Sequence, residues 1–260
     1  MKLEIVTDVD DERVASFKLR PPRKINEGDE IVIDSEKVVL RAIAAGLRIK
    51  SILATRSYYD RHEELVSNLP CCRLFCIEKK LMEKIVGHRI HQSLQAVAER
   101  PLDTPLRELG DRILVMDRLL DVQNVGAIIR SCHAFGVNSV LVHPTGCSPF
   151  GRRAIRVSMG SIFQMKIHHS QDFAADLKWL KEEGDFQIVA TANDGDAVSV
   201  QEATFSTKGV MVIGNEDQGV DRDFLSTYSD LKVKIPVEES IDSLNAACAA
   251  TVLLFAWNHS

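Results

Sequence analysis

The chain of 260 residues is long enough for one large domain or two domains of ordinary size. Apolar residues make up 45% and charged residues 27% of it, as in globular proteins, and no apolar run approaches the ~20 residues of a membrane-spanning helix. The first residues, MKLEIVTDVDDER, carry acids where a secretory signal would carry basic and then apolar residues. Three of the six cysteines lie in one apolar run, CCRLFC, with no second ligand pair facing them. We therefore expect a cytoplasmic protein with reduced thiols, no membrane span and no metal site.

The net charge of −5 is distributed unevenly along the chain. Residues 167–260 carry 6 Lys/Arg and 16 Asp/Glu, a net charge of −10, whereas residues 1–100 and 101–166 carry net charges of +2 and +3. A chain polarised in this way can present a basic face to a polyanion. The overall charge therefore does not exclude RNA as a partner.

The first part of the chain predicts a small α/β domain. Residues 1–29 are polar and irregular and are predicted to be an N-terminal extension. Strand and helix patterns alternate over residues 30–98, beginning with the strand EIVID and a helix over EKVVLRAIAAGL. The stretch from Met82 to Arg100 has a helical apolar pattern. Residues 99–111 contain two prolines and mixed charges and are predicted to be a linker.

The alternation restarts over residues 112–260 with more apolar strands. The predicted strands include RILVMD, SVLVHP, FQIVATA, Val210–Ile213 and Val233–Val237. A helix is predicted to begin near Asn124, and the last helix is predicted over Ser243–Trp257. Buried parallel strands place the polar turns that follow them at one edge of the sheet. We therefore predict an α/β fold with a ligand cup at that edge.

The first polar segment of this part is Asn124-Val-Gly126-Ala-Ile-Ile-Arg130. If a helix starts near Asn124, its free N–H groups favour an anion. Arg130 lies on a mainly apolar helix, and a buried guanidinium requires a partner. Two interpretations stay open on spacing alone: a structural ion pair with Asp117 or Asp121, or a functional arginine.

Two further polar segments follow the later strands. The second, GNEDQG from Gly214 to Gly219, lacks the spacing and the lysine of a P-loop, and its acids suit a hydroxyl, an amine or a cation. The third is Ile235-Pro236 followed by Ser243-Leu244-Asn245, where a serine at a helix start is ordinarily a cap. The sequence contains neither G-x-G-x-x-G nor G-x-S-x-G, so a nicotinamide site and a serine-hydrolase site have no support.

In this order the three segments resemble those of the SpoU/TrmH family, which are S-adenosylmethionine-dependent RNA ribose 2′-O-methyltransferases of the SPOUT class. The resemblance covers roughly residues 112–257, and residues 30–98 resemble the ribosomal-protein-L30e-like substrate-binding domain that members of this family often carry. It implies a SPOUT domain with a deep trefoil knot near its C-terminal end, and a homodimer. The chain departs from the family pattern at Val122-Gln123, where members often have a proline before the asparagine, and at Asp217, where they often have glycine.

The resemblance also implies roles for individual residues. The positions that match the family's active site are Asn124, Arg130, Glu216, Ser243 and Asn245. The positions expected to contact S-adenosylmethionine are Thr191, Ala192, Gly214, Ile235 and Leu244. Three arginines in GRRAIR are expected to contact the RNA backbone, namely Arg152, Arg153 and Arg156.

The function that this pattern favours is methylation of a ribose 2′-hydroxyl in structured RNA, with ribosomal RNA favoured over transfer RNA. Two alternatives remain at this point. The same scaffold could serve as a catalytically silent RNA-binding or ribosome-assembly protein, although intact Arg130, Glu216 and Asn245 argue against it. A small-molecule α/β enzyme could use the same cup, although the separate first domain makes that alternative weaker.

Overall fold

The structure, a computed structural model, describes residues 2–18, 29–69, 72–87, 94–192, 195–238, 240–241 and 243–259. The chain divides into two compact units. The first unit comprises Met1–Pro101 and Phe150–Phe163, and the second comprises Leu102–Pro149 and Gln164–Ser260. No helix within the described ranges has the length and apolar character that crossing a bilayer requires.

The first unit is built on a mixed sheet with the strand order β1-β4-β3-β5-β2. Its strands are β1 (Leu3–Val6), β2 (Glu30–Asp34), β3 (Ile49–Ala54), β4 (Arg73–Ile77) and β5 (Leu94–Glu99). The helices that alternate with them are α1 (Glu36–Ala44), α2 (Arg56–Arg61), α3 (Glu63–Ser67) and α4 (Lys79–Val86). β1 and β3 pair with β4 in parallel, whereas β5 pairs antiparallel with both β2 and β3.

Over residues 2–18 the structure differs from the prediction that residues 1–29 form an extension; residues 19–28 lie outside the described residues. β1 is an edge strand of the first sheet, and a 3-10 turn at Glu12–Phe17 packs into the core beneath it. Val14 and Phe17 are completely buried there, and the Phe17 ring meets the Phe75 ring edge-on at 6.3 Å. The polar composition hid this because the two apolar anchors lie in a short segment flanked by charged residues, Asp11-Glu12-Arg13 before Val14 and Lys18 after Phe17.

The helix predicted from Met82 to Arg100 is also wrong. α4 ends at Val86, where Gly87 adopts the left-handed conformation with φ of 75° and donates its N–H to the Glu83 carbonyl. Leu94–Glu99 is instead the strand β5, nearly all of it buried between β2 and β3. A strand that is buried on both faces shows no alternation of apolar and polar residues. The sequence LQAVAE therefore does not distinguish this strand from a buried helix.

The segment Phe150–Phe163 lies in sequence among the elements of the second unit but folds with the first. Its helix α6 (Arg152–Val157) is held by Arg152, which donates to both carboxylate oxygens of Asp34, each at 2.8 Å. Arg152 also donates to the Phe17 carbonyl, and the Gln95 amide donates to Asp34 at 2.6 Å. Asp34 is only 8% exposed, so a buried ion pair anchors α6 to the first sheet.

The second unit is built on a parallel sheet with the strand order β10-β12-β9-β11-β6-β7-β8. Its strands are β6 (Arg112–Met116), β7 (Ser139–Val142), β8 (Lys166–His169), β9 (Gln187–Thr191), β10 (Val198–Ser199), β11 (Gly209–Ile213) and β12 (Leu231–Lys234). Its helices are α5 (Val122–Ala134), α7 (Phe173–Glu182), α8 (Arg222–Thr227) and α9 (Ala246–Asn258). The predicted α/β fold with a parallel sheet is therefore confirmed.

The late strand β11 lies between β6 and β9 and pairs with both of them in parallel. Its side chains contribute to a fully apolar core, in which Val210 and Val212 pack with Ile113, Val115 and Ile188. The carboxyl ends of these central strands lie at one edge of the sheet. Between β6 and β11, the direction in which successive strands are added to the sheet reverses. In open α/β sheets such a switch point is where ligands bind.

The predicted linker is ordered against the second sheet over most of its length. Thr104 donates its N–H to the Ile167 carbonyl of β8 at 2.7 Å, and Gly110 donates to the Ser139 hydroxyl at 2.8 Å. β8 is an edge strand, and edge strands carry backbone groups that need a partner or a cover. The segment therefore covers part of this edge.

We predict that Phe17→Ala lowers the free energy of unfolding by about 3–5 kcal/mol, because it empties a fully buried site in the first core. Glu12→Ala is the matched control, since Glu12 is exposed on the same 3-10 turn and its replacement should stay within about 0.5 kcal/mol. Urea denaturation followed by fluorescence measures both. Equal stability of the two variants would show that the N-terminal segment does not belong to the core.

Candidate active site

Two loops that follow neighbouring strands are bonded directly to each other at the carboxyl edge of the second sheet. The first loop, residues 117–121, follows β6, and the second loop, residues 214–219, follows β11. The Asn215 side-chain amide donates to the Arg118 carbonyl at 2.8 Å. The Glu216 carboxylate accepts from the backbone N–H groups of Leu120 and Asp121, at 3.2 and 3.1 Å. The two loops therefore act as one structural unit.

A chain of side-chain hydrogen bonds connects these loops to the last helix. The Asn124 amide donates to Glu216 Oε1 at 2.9 Å, and its carbonyl oxygen accepts from the Asn245 amide at 3.0 Å. Asn245 is the N-cap of α9, where its Oδ1 accepts from the N–H groups of Ala247 and Cys248. Three residues from three sequence segments thus form one continuous Glu216–Asn124–Asn245 chain.

α5 begins close to Asn124, as predicted, but two residues earlier. The helix begins at Val122 with Asp121 as its N-cap, so Asn124 lies within the first turn instead of at the start. The Asp121 carboxylate accepts from the Gln123 N–H at 2.7 Å. Together with Glu216 it supplies carboxylates at this helix terminus. The side-chain carboxylates of Asp121 and Glu216 therefore take the place of the anion that was expected at the N-terminus of this helix.

The start of α9 also differs from the prediction, because Asn245 caps the helix and Ser243 does not. Ser243 and Leu244 precede the helix and are exposed. Asparagine at the cap position satisfies N–H groups that would otherwise lack an acceptor. Asn245 therefore has two roles, as a cap with its oxygen and as a donor to Asn124 with its nitrogen.

Both structural partners suggested for Arg130 are occupied by other groups. Asp117, which is 1% exposed, receives a two-pronged ion pair from Arg118, with distances of 3.0 and 3.1 Å. Asp121 caps α5. Arg118 adopts a left-handed φ of 53°, a conformation that non-glycine residues rarely adopt. The ion pair and the bond from Asn215 to its carbonyl hold Arg118 in that conformation.

Arg130 itself is exposed, contrary to the expectation that it lies on an inward-facing surface. No hydrogen bond or ion pair joins its guanidinium to any residue in the described ranges. It lies six residues after Asn124, about 9 Å further along α5. Its neighbour Ser131 is bonded to Thr251 of α9 at 2.8 Å, which fixes this part of the helix. Arg130 is therefore a positioned cation that is available to a ligand.

The hydrogen bonds to Glu216 determine its charge. Burial by itself raises the pKa of the Glu216 carboxyl, but hydrogen bonds from the Asn124 amide and from the backbone N–H groups of Glu216, Leu120 and Asp121 outweigh it. The pKa therefore lies below its ordinary value of 4.5. A carboxylate that accepts this many bonds is unsuited to act as a base at neutral pH. Its role is to hold Asn124 and the first loop.

A cleft of about 730 Å³ opens beside this chain of hydrogen bonds, within the second unit. All five positions expected to contact a cofactor line it, namely Thr191, Ala192, Gly214, Ile235 and Leu244. Glu216 and Ser243 line it as well. The described part of its lining does not include Arg130, Asn124 or Asn245. The cleft and the arginine are therefore separate parts of the candidate site, and the asparagine pair lies on the bonded path from Glu216 to α9.

Gly214 is required by the second loop itself. A Cβ at this position would lie 2.1 Å from the Val220 nitrogen and 2.2 Å from the Gly219 carbonyl carbon. Asn215 and Gly219 form a two-residue antiparallel bridge that brings the ends of the loop this close, with φ of 67° at Gly219. The two glycines thus allow the loop to close, and its closure places Gly214 at the cleft.

Two positions that matter structurally were not singled out from the sequence. Asn215 fastens the second loop to Arg118 and accepts from Asp217 and Gln218 within its own turn. An asparagine that opens a turn after a glycine is a recognisable signal for such a local bond. The left-handed Arg118 had no comparable signal, because the bond that holds it comes from a residue 97 positions away.

The predicted RNA-contacting arginines do not lie in this unit. All three are on α6, which belongs to the first unit. Arg152 is engaged with Asp34, which gives it a structural role, and its expected contact with RNA stays a prediction. Arg153 and Arg156 are exposed.

We predict that Glu216→Gln destabilises the protein at neutral pH by an amount that shrinks as the pH falls below about 4.5. A carboxyl whose pKa is lowered by folding stabilises the protein above its unfolded pKa, and this contribution is lost as pH falls through the folded value. Urea denaturation of both proteins between pH 3 and pH 7 measures the difference. Asp217→Asn is the control, because Asp217 is an exposed acid in the same loop. A difference for Glu216→Gln that stays constant with pH would contradict the assigned hydrogen bonds.

Comparisons with known proteins agree with this geometry. A model of the SpoU rRNA Methylase family matches residues 111–255. The 23S rRNA (guanosine-2′-O-)-methyltransferase RlmB of Nitrosomonas europaea is 30% identical over 80% of this chain and 82% of its own length. An uncharacterized tRNA/rRNA methyltransferase of Mycobacterium tuberculosis is 31% identical over 67% of this chain and 62% of its own length.

Solved structures share the fold over most of the chain. The SpoU methyltransferase AviRb from Streptomyces viridochromogenes superimposes with a TM-score of 0.77 at 26% identity, covering 89% of both chains. An AdoMet-bound rRNA methyltransferase from Sinorhizobium meliloti reaches a TM-score of 0.84 at 23% identity, covering 99% of this chain and 98% of its own. The family resemblance predicted from the three polar segments is confirmed: the chain belongs to the SpoU rRNA methylase family.

Proposed function

We propose that this chain transfers a methyl group from S-adenosylmethionine to a ribose 2′-hydroxyl of structured RNA, with ribosomal RNA favoured over transfer RNA. The observation that carries the proposal is the Glu216–Asn124–Asn245 chain, which joins all three polar segments beside a cleft. The name of the Nitrosomonas relative, a 23S rRNA guanosine-2′-O-methyltransferase, supports both the ribose position and the ribosomal substrate. A substrate of this kind also supports the predicted cytoplasmic location.

The residues of the cleft fit S-adenosylmethionine. The cleft volume of about 730 Å³ lies in the range of ~300–1,000 Å³ typical of small-molecule sites. Ile235 and Leu244 offer aliphatic surface that suits an adenine ring, and Thr191 adds a hydroxyl. Glu216 and Asp217 place negative charge along the lining, which complements a cationic sulfonium. When bound, this cofactor supplies a methyl group on an electrophilic sulfur.

Arg130 is the residue that we assign to the substrate. A guanidinium stays charged in proteins, so its task is to bind and stabilise negative charge, not to accept a proton. Its exposed position, without a hydrogen bond or ion pair among the described residues, suits a clamp on the phosphate next to the reacting ribose. From there it also stabilises the charge that develops on the 2′ oxygen as its proton leaves.

The remaining site residues align the reactants. Glu216 fixes Asn124, and Asn124 in turn is bonded to Asn245, so α5 and α9 keep their relative position. We assign Asn124 and Asn245 to the positioning of the nucleotide and Ser243, which lines the cleft, to a contact with the ribose. Alignment of oxygen, methyl carbon and sulfur is the main requirement for a displacement in which the electrophile is already activated.

We further propose a homodimer that forms through the exposed side of α9. Val252 and Phe255 on that helix are 39% and 54% exposed, and Phe255 packs edge-on against Phe135, the residue that follows α5. Exposed apolar residues along one helix are typical of a surface that a partner covers. The trefoil knot and the L30e-like character of residues 30–98 stay predictions that the family resemblance implies.

The function is tested by incubating the protein with methyl-labelled S-adenosylmethionine and bulk ribosomal RNA. We expect label in the RNA, and alkaline hydrolysis should leave the labelled nucleotides as dinucleotides because a 2′-O-methyl group blocks cleavage. Label on a base would contradict the ribose assignment. RNA binding without any transfer would favour a catalytically silent RNA-binding protein.

The same assay tests Arg130. Arg130→Ala should reduce transfer by at least 100-fold, on the order of what a lost charge-stabilising group costs, while cofactor binding measured by calorimetry stays within about twofold of wild type. Arg222→Ala serves as the control, because Arg222 lies in the same unit and, unlike Arg130, lines the cleft. The Arg222→Ala variant should affect cofactor binding more than Arg130→Ala does. Near-normal transfer by Arg130→Ala would overturn its assigned role.

A further inference from the structure

The backbone of Arg118 adopts a conformation that favours glycine. Its φ of 53° lies in the left-handed region, where the Cβ of any other residue crowds the neighbouring carbonyl oxygen. Strain of this kind persists only where the surrounding structure enforces it, and it is concentrated at functional sites. The contacts of Arg118 identify both what enforces the strain and what depends on it.

The side chain of Arg118 enforces the conformation through the preceding residue, Asp117. Its Nε donates to Asp117 Oδ1 at 3.0 Å, and its Nη2 donates to Oδ2 at 3.1 Å. Asp117 is 1% exposed, and a carboxylate buried this deeply requires a charged partner. Because the two residues are adjacent, this two-pronged pair closes a small ring through the backbone and restricts its dihedral angles.

The carbonyl group of Arg118 fastens one end of the second loop. It accepts from the Asn215 amide nitrogen at 2.8 Å. The Oδ1 of the same Asn215 side chain accepts from the N–H groups of Asp217 and Gln218, at 3.0 and 3.1 Å. One asparagine side chain therefore links the direction of the Arg118 carbonyl to the turn of the second loop.

The guanidinium of Arg118 reaches the other end of the same loop. Its Nη1 lies 3.5 Å from Gln218 Oε1 and 3.7 Å from Asp221 Oδ2. Asp221 is the N-cap of α8, and its N–H donates to Asp117 Oδ2 at 3.4 Å. The pair of Asp117 and Arg118 thus restrains both the second loop and the start of α8.

Both restrained elements form walls of the cleft. All residues of the second loop, 214–219, line it. Three residues of α8 line it as well, namely Arg222, Leu225 and Ser226. The described part of the lining includes neither Asp117 nor Arg118. The pair therefore acts on a ligand through the position of these walls and not by contact.

We propose that Arg118 is a positioning residue for the cofactor: its pair with Asp117 keeps the backbone left-handed, and that backbone holds the second loop in its cofactor-binding form. This inference rests on the proposed function, because it takes S-adenosylmethionine as the ligand of the cleft. When the pair is lost, the strained backbone relaxes and part of the population loses the bond from Asn215. The apparent Kd then rises by the inverse of the fraction that remains competent to bind.

The test compares two double variants that remove the ion pair without leaving a buried charge. Asp117→Asn/Arg118→Gln keeps a side chain that is strained in the left-handed region, whereas Asp117→Asn/Arg118→Gly introduces a residue that adopts it freely. In calorimetry with S-adenosylmethionine, the first variant should bind at least about fivefold more weakly than wild type. The glycine variant should bind at least about threefold more tightly than the first, because it regains the loop conformation without the pair.

Steady-state kinetics supply the second readout. The KM for S-adenosylmethionine should follow the Kd, whereas kcat at saturating cofactor should stay within about threefold of wild type, because bound cofactor selects the competent loop. A pair that only stabilises the fold would lower the melting temperature of both variants. It would produce neither the difference in Kd between them nor the rise in KM.

Asp185→Gly is the matched control, because Asp185 is an exposed residue of the same unit with φ of 54°. The change relieves the same strain in the turn after α7 and should leave the Kd within about twofold of wild type. A Kd of the glutamine variant equal to that of wild type, or equal Kd values in the two double variants, would overturn the proposal.

Arg118→Lys decides the question if the glutamine variant does not fold. Lysine keeps a cation beside Asp117 but cannot form the two-pronged pair, so binding should weaken by about threefold or more. An unchanged Kd in this variant would likewise overturn the proposal.

The outcomes separate this inference from the function on which it rests. Methyl transfer by wild type, together with equal Kd values in the two double variants, would contradict the role of Arg118 and leave the function intact. The expected order of Kd values without any methyl transfer to RNA would contradict the function and support the role of Arg118.

Discussion

The candidate site depends on the side chain of Asn124. Its nitrogen donates to Glu216 and its oxygen accepts from Asn245, so one amide joins the loops after two central strands to the start of the last helix. Glu216 uses its remaining capacity on the N–H groups of Leu120 and Asp121. An amide is suited to this position because it offers both a donor and an acceptor, whereas a carboxylate would oppose Glu216. Most polar groups of this network have hydrogen-bond partners within the protein. Polar networks whose groups are all hydrogen-bonded favour a single arrangement of their side chains.

The charged residues of the site differ in whether they have a partner among the described residues. Asp117, Asp121 and Glu216 have partners within the protein, whereas Arg130 has none among the described residues. The first unit shows the same division on α6, where Arg152 is paired with Asp34 and its neighbours are exposed. In both units, residues held by an internal partner fix a helix, and the helix then presents an exposed arginine.

The sequence predicted the second unit better than the first. Its strands are continuous apolar runs that end in polar turns, and this pattern is sufficient to place the turns at one edge. The hydrogen-bond partners within the site were not predictable, because the bond between Asn124 and Glu216 spans 92 residues and spacing gives no information on it. The exposure of Arg130 was missed because its apolar neighbours suggested an inward face. In the first unit, the buried sequence of β5 shows no alternation of apolar and polar residues and therefore does not indicate a strand, and the four-residue edge strand β1 leaves little signal.

A double-mutant cycle on the free energy of unfolding tests the Asn124 network most directly. Asn245→Ser keeps a capping oxygen for α9 but removes the amide that donates to Asn124, and Asn124→Ala removes the acceptor. The two changes should be coupled by about 0.5–3 kcal/mol, because they remove the same hydrogen bond. Asn258→Ala provides the control, since Asn258 lies at the other end of α9 and is bonded to Arg112. Its effect should add to that of Asn124→Ala. Additive effects of Asn124→Ala and Asn245→Ser, within about 0.3 kcal/mol, would contradict the claim that one amide holds the site together.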